Sequence, residues 1–100
     1  MDQEITLIVP IQAKPDCRDD VRRRLVALAE QTRQETGNLC YVLHEVPNDP
    51  GHFVIYEQWK SQAALDFHMA QDYLKAFTAD APTLLAKPIA ATVCHEIRSC

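Results

Sequence analysis

Apolar residues alternate along the first stretch of the chain. Ile5, Leu7, Val9 and Ile11 fall on one face, and Thr6, Ile8, Pro10 and Gln12 on the other. A period of two residues is that of a half-buried strand, which the pattern predicts over residues 4–12. Pro10 has no N–H to give to a sheet ladder, so a bulge or the strand's end is expected near it. After the turn Ala13-Lys14-Pro15-Asp16 the period changes. Val21, Leu25, Leu28, Ala29 and Thr32 recur at helical spacing and predict the buried stripe of a helix over residues 17–36. Asp16 is the expected cap, Asp19 and Asp20 suit the positive end of the helix, and Gly37-Asn38 stops it. Arg22, Arg23, Glu30 and Arg33 take the wet side.

Two further strands are predicted over residues 39–46 and 52–59. They flank Pro47-Asn48-Asp49-Pro50-Gly51, a dense turn signal, and so read as a hairpin. Ser61 is placed to cap a helix over 62–69, with a second helical piece over 71–79. Pro82 and Pro88 bracket a connector, and residues 89–97 read as a fourth strand. The order β-α-β-β-α-β is the ferredoxin-like arrangement, an α+β fold. It predicts one domain over residues 1–100, with a four-stranded antiparallel sheet and helices on one face. The strands, however, are apolar on both faces. Phe53, Ile55 and Trp59 oppose Val54 and Tyr56, while Ile89, Val93 and Ile97 oppose Ala90 and Cys94. One helical layer covers one face only, so a homodimer through sheet-on-sheet packing is expected.

Composition narrows the partners. The chain has 100 residues, 47% apolar and 24% charged, with net charge −4. That is an ordinary globular composition, and its acidic balance argues against nucleic acid. No apolar run approaches the ~20 residues that span a bilayer. The start, Met1-Asp2-Gln3-Glu4, lacks the basic opening of a secretory signal, so no membrane partner and a cytoplasmic location are expected. Cys17, Cys40, Cys94 and Cys100 show no CxxC spacing, which argues against a disulfide framework. Cys94-His95 and the Cys40/His44 pair fit zinc-site spacing poorly, so no metal is expected. Two glycines leave no phosphate-cradling loop.

The candidate chemistry lies in residues 53–68, FVIYEQWKSQAALDFH. An apolar strand ends in Tyr-Glu-x-Trp, and a helix follows with Ala-Leu and then a histidine three residues on. This stretch resembles the antibiotic biosynthesis monooxygenase family, which includes quinol monooxygenases. Chain length, element order, Glu35-Thr36-Gly37-Asn38 at the helix end and Lys75-Ala76-Phe77 after the histidine agree with it. The resemblance implies a dimeric α+β barrel of ferredoxin-like subunits. It also implies cofactor-independent oxygenation of a quinol or polyphenol by dioxygen, in a dry pocket between helices and sheet. On that reading the catalytic candidates are His68, Trp59 and Glu57. Phe53, Phe67, Tyr73, Phe77 and Tyr41 would bind the aromatic substrate. An imidazole is the side chain type suited to proton abstraction near neutral pH, and His68 shares a helical face with Leu65.

Each residue also has a plainer reading. Trp59 at a strand end is often core. Glu57 inside a strand needs a partner, which would be a lysine or arginine across the dimer, unless it serves as a pocket carboxylate or orients His68. An inward histidine is often only hydrogen-bonded core. His44, His52 and His95 are weaker candidates. Two departures from the family stand out. Many quinol-type members carry a second histidine a few residues beyond the first, where this chain has Ala70-Gln71-Asp72, which argues against a two-histidine site. Haem-degrading relatives carry an axial histidine where this chain has Thr78, so no haem is expected. The competing functions are a non-enzymatic dimeric module that binds a small ligand, and a non-redox isomerase of a small hydroxyketone.

Overall fold

Strand β1 (Ile5–Gln12) keeps the alternation: Ile5, Leu7, Val9 and Ile11 are buried. The computed structural model describes residues 3–97. A short 3-10 turn, Pro15–Cys17, leads into α1 (Arg18–Thr32). The buried residues of α1 are Val21, Leu25, Leu28, Ala29 and Thr32, the stripe expected from the periodicity. β2 (Asn38–Glu45) and β3 (His52–Trp59) form the hairpin, followed by α2 (Gln62–Met69), α3 (Asp72–Leu84) and β4 (Thr92–Cys94). All pairings are antiparallel and the strand order is β2-β3-β1-β4. This is the ferredoxin-like α+β fold. Alternate residues of β3 (Phe53, Ile55, Glu57 and Trp59) are buried on the same side as the inward residues of β1, under the helices. The opposite face stays open, with Ile8 and Val42 exposed.

Several expectations are corrected. α1 ends at Thr32, not residue 36: Gln34 N and Glu35 N bond back three residues, to Gln31 O and Thr32 O. The chain therefore tightens into turns before Gly37. Asp16 does not cap α1; Cys17 holds that position without a side-chain cap bond. Ser61 does cap α2, its Oγ accepting from Ala64 N at 3.2 Å. α3 runs past residue 79 and through Pro82, which lies in its last turn. An interior proline costs a helix about 3 kcal/mol or more, but here the helix tail is anchored. Leu84 and Leu85 are buried, Lys14 N donates to Leu84 O at 2.9 Å, and Lys14 Nζ donates to Pro82 O at 3.1 Å.

The fourth strand keeps only Thr92–Cys94, so Ile89, Ala90 and Ile97 lie outside it. Pro10 makes no bulge; it pairs in register with Val54, and the register shift lies in β2 between Asn38 and Cys40. β4 pairs only with Thr6–Ile8, so no strand flanks Pro10 on its other side to demand an N–H.

Gly37 and Ala64 hold α2 against the α1–β2 turn. A Cβ on Gly37 would lie 2.3 Å from Ala64 Cβ, so only glycine allows this approach. Lys60 N donates to Gly37 O at 2.9 Å across the same contact.

Candidate active site

Between the helices and the inner face of the sheet lies a cavity of about 110 Å³. Its wall is mainly aliphatic, with Leu7, Val9, Leu28, Ile55 and Leu74 among its residues. Phe77 and Met69 also line it, and Ile89 and Ala91 of the α3–β4 connector close one side. Tyr41, Glu57 and His68 bring polar atoms to it. Strand register places Glu57: it pairs with Leu7 on β1 and Tyr41 on β2, in the middle of the inner face. Helical spacing places His68, one turn beyond the buried Leu65.

His68 Nδ1 lies 2.8 Å from Glu35 Oε2, and the two side chains are only 3% and 5% exposed. The Tyr73 hydroxyl donates to the same carboxylate oxygen. Burial and that hydrogen bond push the Tyr73 phenol up, which keeps it a donor. Two donors converging on one oxygen give Glu35 the acceptor role. The Nδ1–H is then the donor to Glu35. No described residue bonds Nε2, so it is the ring nitrogen available to a ligand. Glu35 Oε1 is buried without a partner, alone in this among the described side-chain oxygens and nitrogens.

Trp59 is fully buried and supports the site from beneath. Its ring lies 4.5 Å from that of His68, and its Nε1 donates to Glu57 Oε1 at 2.9 Å. Burial pushes the Glu57 carboxyl up, while the Trp59 bond and the nearby His68 pull it back. Glu57 is thereby moved toward its neutral form. Within the single chain, among the described residues, it makes no ion pair with a lysine or arginine. Tyr41 is also pushed up, by burial first and the Glu57 charge second, so it stays a phenol.

Of the aromatic residues expected to bind substrate, Tyr41 and Phe77 line the cavity. Phe53 does not; it is core further along β3. Phe67 is 59% exposed and, with Tyr73, lines a shallow outer groove instead. Tyr73 reaches the site only through Glu35. The orienting carboxylate of His68 is Glu35 and not Glu57, a role the sequence reading missed. The available signal was the Glu35-Thr36-Gly37-Asn38 helix end, which places a carboxylate just before a close turn. The other histidines lie elsewhere. His44 Nδ1 is 3.3 Å from Val54 O, His52 Nδ1 is 2.9 Å from Asp49 Oδ2, and His95 Nδ1 is 3.3 Å from Glu4 O. Among the described residues no three His, Cys, Asp or Glu side chains are grouped to hold a metal. No helix among them is long and apolar enough to cross a membrane.

Comparison with known proteins agrees with this architecture. Residues 4–80 match the antibiotic biosynthesis monooxygenase family. The chain is 32% identical over 87 residues to sll1783, an uncharacterized protein of Synechocystis sp., covering 87% of this chain and 59% of that protein. It therefore spans less than two thirds of that relative. It is 33% identical over 85 residues to YcnE of Bacillus subtilis, provisionally named a monooxygenase, covering 85% of this chain and 90% of YcnE. The solved structure of Rv0793 from Mycobacterium tuberculosis matches with a TM-score of 0.90 and 30% identity, covering 97% of this chain and 98% of that one. With more than half its length matched and the fold in agreement, the chain belongs to the antibiotic biosynthesis monooxygenase family.

Proposed function

We propose that the protein is a cofactor-independent monooxygenase that oxidises a small quinol or polyphenol with dioxygen in the cavity between helices and sheet. The observation that carries this reading is the Glu35–His68 pair, with Nδ1 tied to a buried carboxylate and Nε2 left for the cavity. His68 Nε2 takes the phenolic proton, and Glu35 stabilises the imidazolium that forms. The phenolate is held in an apolar space, where its charge is met by the imidazolium and not by water. The electron-rich ring then supplies all the electrons that reduce dioxygen. A ring C–H is replaced by a C–O bond, one oxygen atom stays in the product and the other leaves as water. A dihydroxybenzene plus dioxygen thus gives a hydroxyquinone plus water.

The working unit on this reading is a homodimer in the cytoplasm. Ile8 and Val42 on the open sheet face are 42% and 39% exposed, and a second sheet is the natural cover for such a surface. Oxygen consumption against a panel of dihydroxy-aromatics tests the reaction. Uptake above the autoxidation blank, lost in His68→Ala and reduced in Trp59→Phe, is expected. Uptake that stays at the blank for the whole panel refutes it.

A further inference from the structure

We propose that Tyr73 is a positioning residue for the candidate base: its hydroxyl fixes the Glu35 carboxylate, and the fixed carboxylate sets the orientation of the His68 ring. This rests on the reading of His68 as the base of the proposed reaction. Tyr73 and His68 reach Glu35 from different spaces. His68 lines the cavity and Tyr73 does not. Tyr73 lines the outer groove, together with Glu35 itself, Gln34 and Phe67, and His68 does not. The phenol therefore stands outside the wall of the cavity and can act on a ligand there only through the carboxylate.

The bonding at Glu35 shows what the hydroxyl adds. Oε1 is buried without a partner, so the bonds that hold the carboxylate all fall on Oε2. The terminal torsion of a glutamate is broad, and a carboxylate held by one donor can swing about it. Two donors from different helices, the Tyr73 hydroxyl of α3 and His68 Nδ1–H of α2, pin that oxygen. Without the hydroxyl the imidazole would be the only anchor of the group that is meant to anchor it.

The His68 ring depends on this oxygen. Trp59 and Tyr41 pack against it, with ring centroids 4.5 and 6.2 Å away, and stacking of this kind leaves rotation within the ring plane free. The hydrogen bond that fixes that rotation is the one to Glu35. The hydroxyl is not needed to hold the corner between α2 and α3. Gln71 N donates to His68 O at 3.1 Å, and Gln71 Nε2 donates to Phe67 O at 2.9 Å. Tyr73→Phe keeps those bonds and the aromatic ring and removes only the second donor to Oε2.

Proton NMR of the whole protein, without substrate, tests the positioning apart from the chemistry. His68 is the one buried histidine, so its Nδ1–H should give a slowly exchanging signal, identified by histidine-selective nitrogen-15 labelling and by its loss in His68→Gln. Exchange of that proton requires the bond to Glu35 to open. In Tyr73→Phe it should exchange about tenfold or more faster, the effect of losing one hydrogen bond to a charged group. In oxygen uptake the same variant should lower kcat about tenfold with little change in KM. In the Glu35→Gln background it should have no further effect on kcat, because its route passes through that carboxylate. A Tyr73→Phe protein with a lower melting temperature but wild-type exchange would show a structural tie only, and would overturn the proposal. So would an equal kcat loss in the Glu35→Gln background, or a wild-type protein with no protected Nδ1–H. Absence of oxygen uptake by the wild type would instead remove the oxygenase reading, and the exchange comparison would still decide the role of Tyr73.

Discussion

Replacing Gly37 with alanine should drive a wedge between the two halves of the candidate base. Gly37 lies two residues after Glu35, and Ala64 lies one helical turn before His68. The added methyl would meet Ala64 Cβ at 2.3 Å and Ala64 Cα at 3.3 Å. Carbon atoms rest about 3.5–4.0 Å apart, so α2 must retreat by roughly 1.2–1.7 Å. Overpacking of this kind costs about 1–3 kcal/mol. For a domain of this size each kcal/mol lowers the melting temperature by about 4–8 °C. The same retreat stretches the 2.8 Å contact between His68 Nδ1 and Glu35 Oε2 past hydrogen-bonding distance.

The assay is a double-mutant cycle by chemical denaturation, with Ala64→Gly as the second change. Ala64→Gly alone should cost about 1 kcal/mol in helix propensity. Combined with Gly37→Ala it removes the clash, so the pair should be more stable than the sum of the single losses by about 1–2 kcal/mol. Strict additivity, or a Gly37→Ala protein as stable as wild type, would refute the argument that this contact sets the position of α2.

Glu57→Gln should raise stability at neutral and higher pH and leave it nearly unchanged near pH ~4. The folded-state pKa of Glu57 is raised, so its contribution is full below the unfolded value and is lost as pH rises through the folded one; denaturant midpoints at the two pH values check this. Glu35→Gln should lower kcat about 100-fold or more with little change in KM, because the amide no longer stabilises the imidazolium; steady-state oxygen uptake reads the split. Ile8→Lys on the open sheet face should convert a dimer to a monomer in light scattering while the far-UV spectrum stays unchanged, since Ile8 is 42% exposed in the single chain.

Much of the scaffold was legible because it follows local periodicity. The alternation in β1 and β3, the α1 stripe and the Ser61 cap depend on neighbours a few residues away, and all appear where expected. The misses share a tertiary cause. Pro82 reads as a helix stop, yet Leu84 and Leu85 dock into the core and carry α3 past it. Residues 89–97 have a strand-like pattern, but only Thr92–Cys94 find β1 beside them. Within the site, His68 was visible as an inward polar residue on an apolar helical face. Its partner was not, since Glu35 lies 33 residues away and the turns after α1 bring it there. The buried carboxylate that was visible, Glu57, is tied to Trp59 two residues along its own strand.

On the proposed function, Pro10 bears on how a small molecule would reach the cavity. The α3–β4 connector leaves β1 where Ala86 N donates to Gln12 O, at 2.8 Å, and rejoins it where Thr92 pairs with Ile8. Between those points the connector arches away, and its Ile89 and Ala91 face the cavity opposite Val9 and Ile11. An amide N–H at position 10 would offer the connector a place to zip against the sheet. Proline offers none, so the arch stays unfastened along this edge. The residue least expected in a central strand thus withholds the donor that would fasten this connector to the sheet beside the cavity.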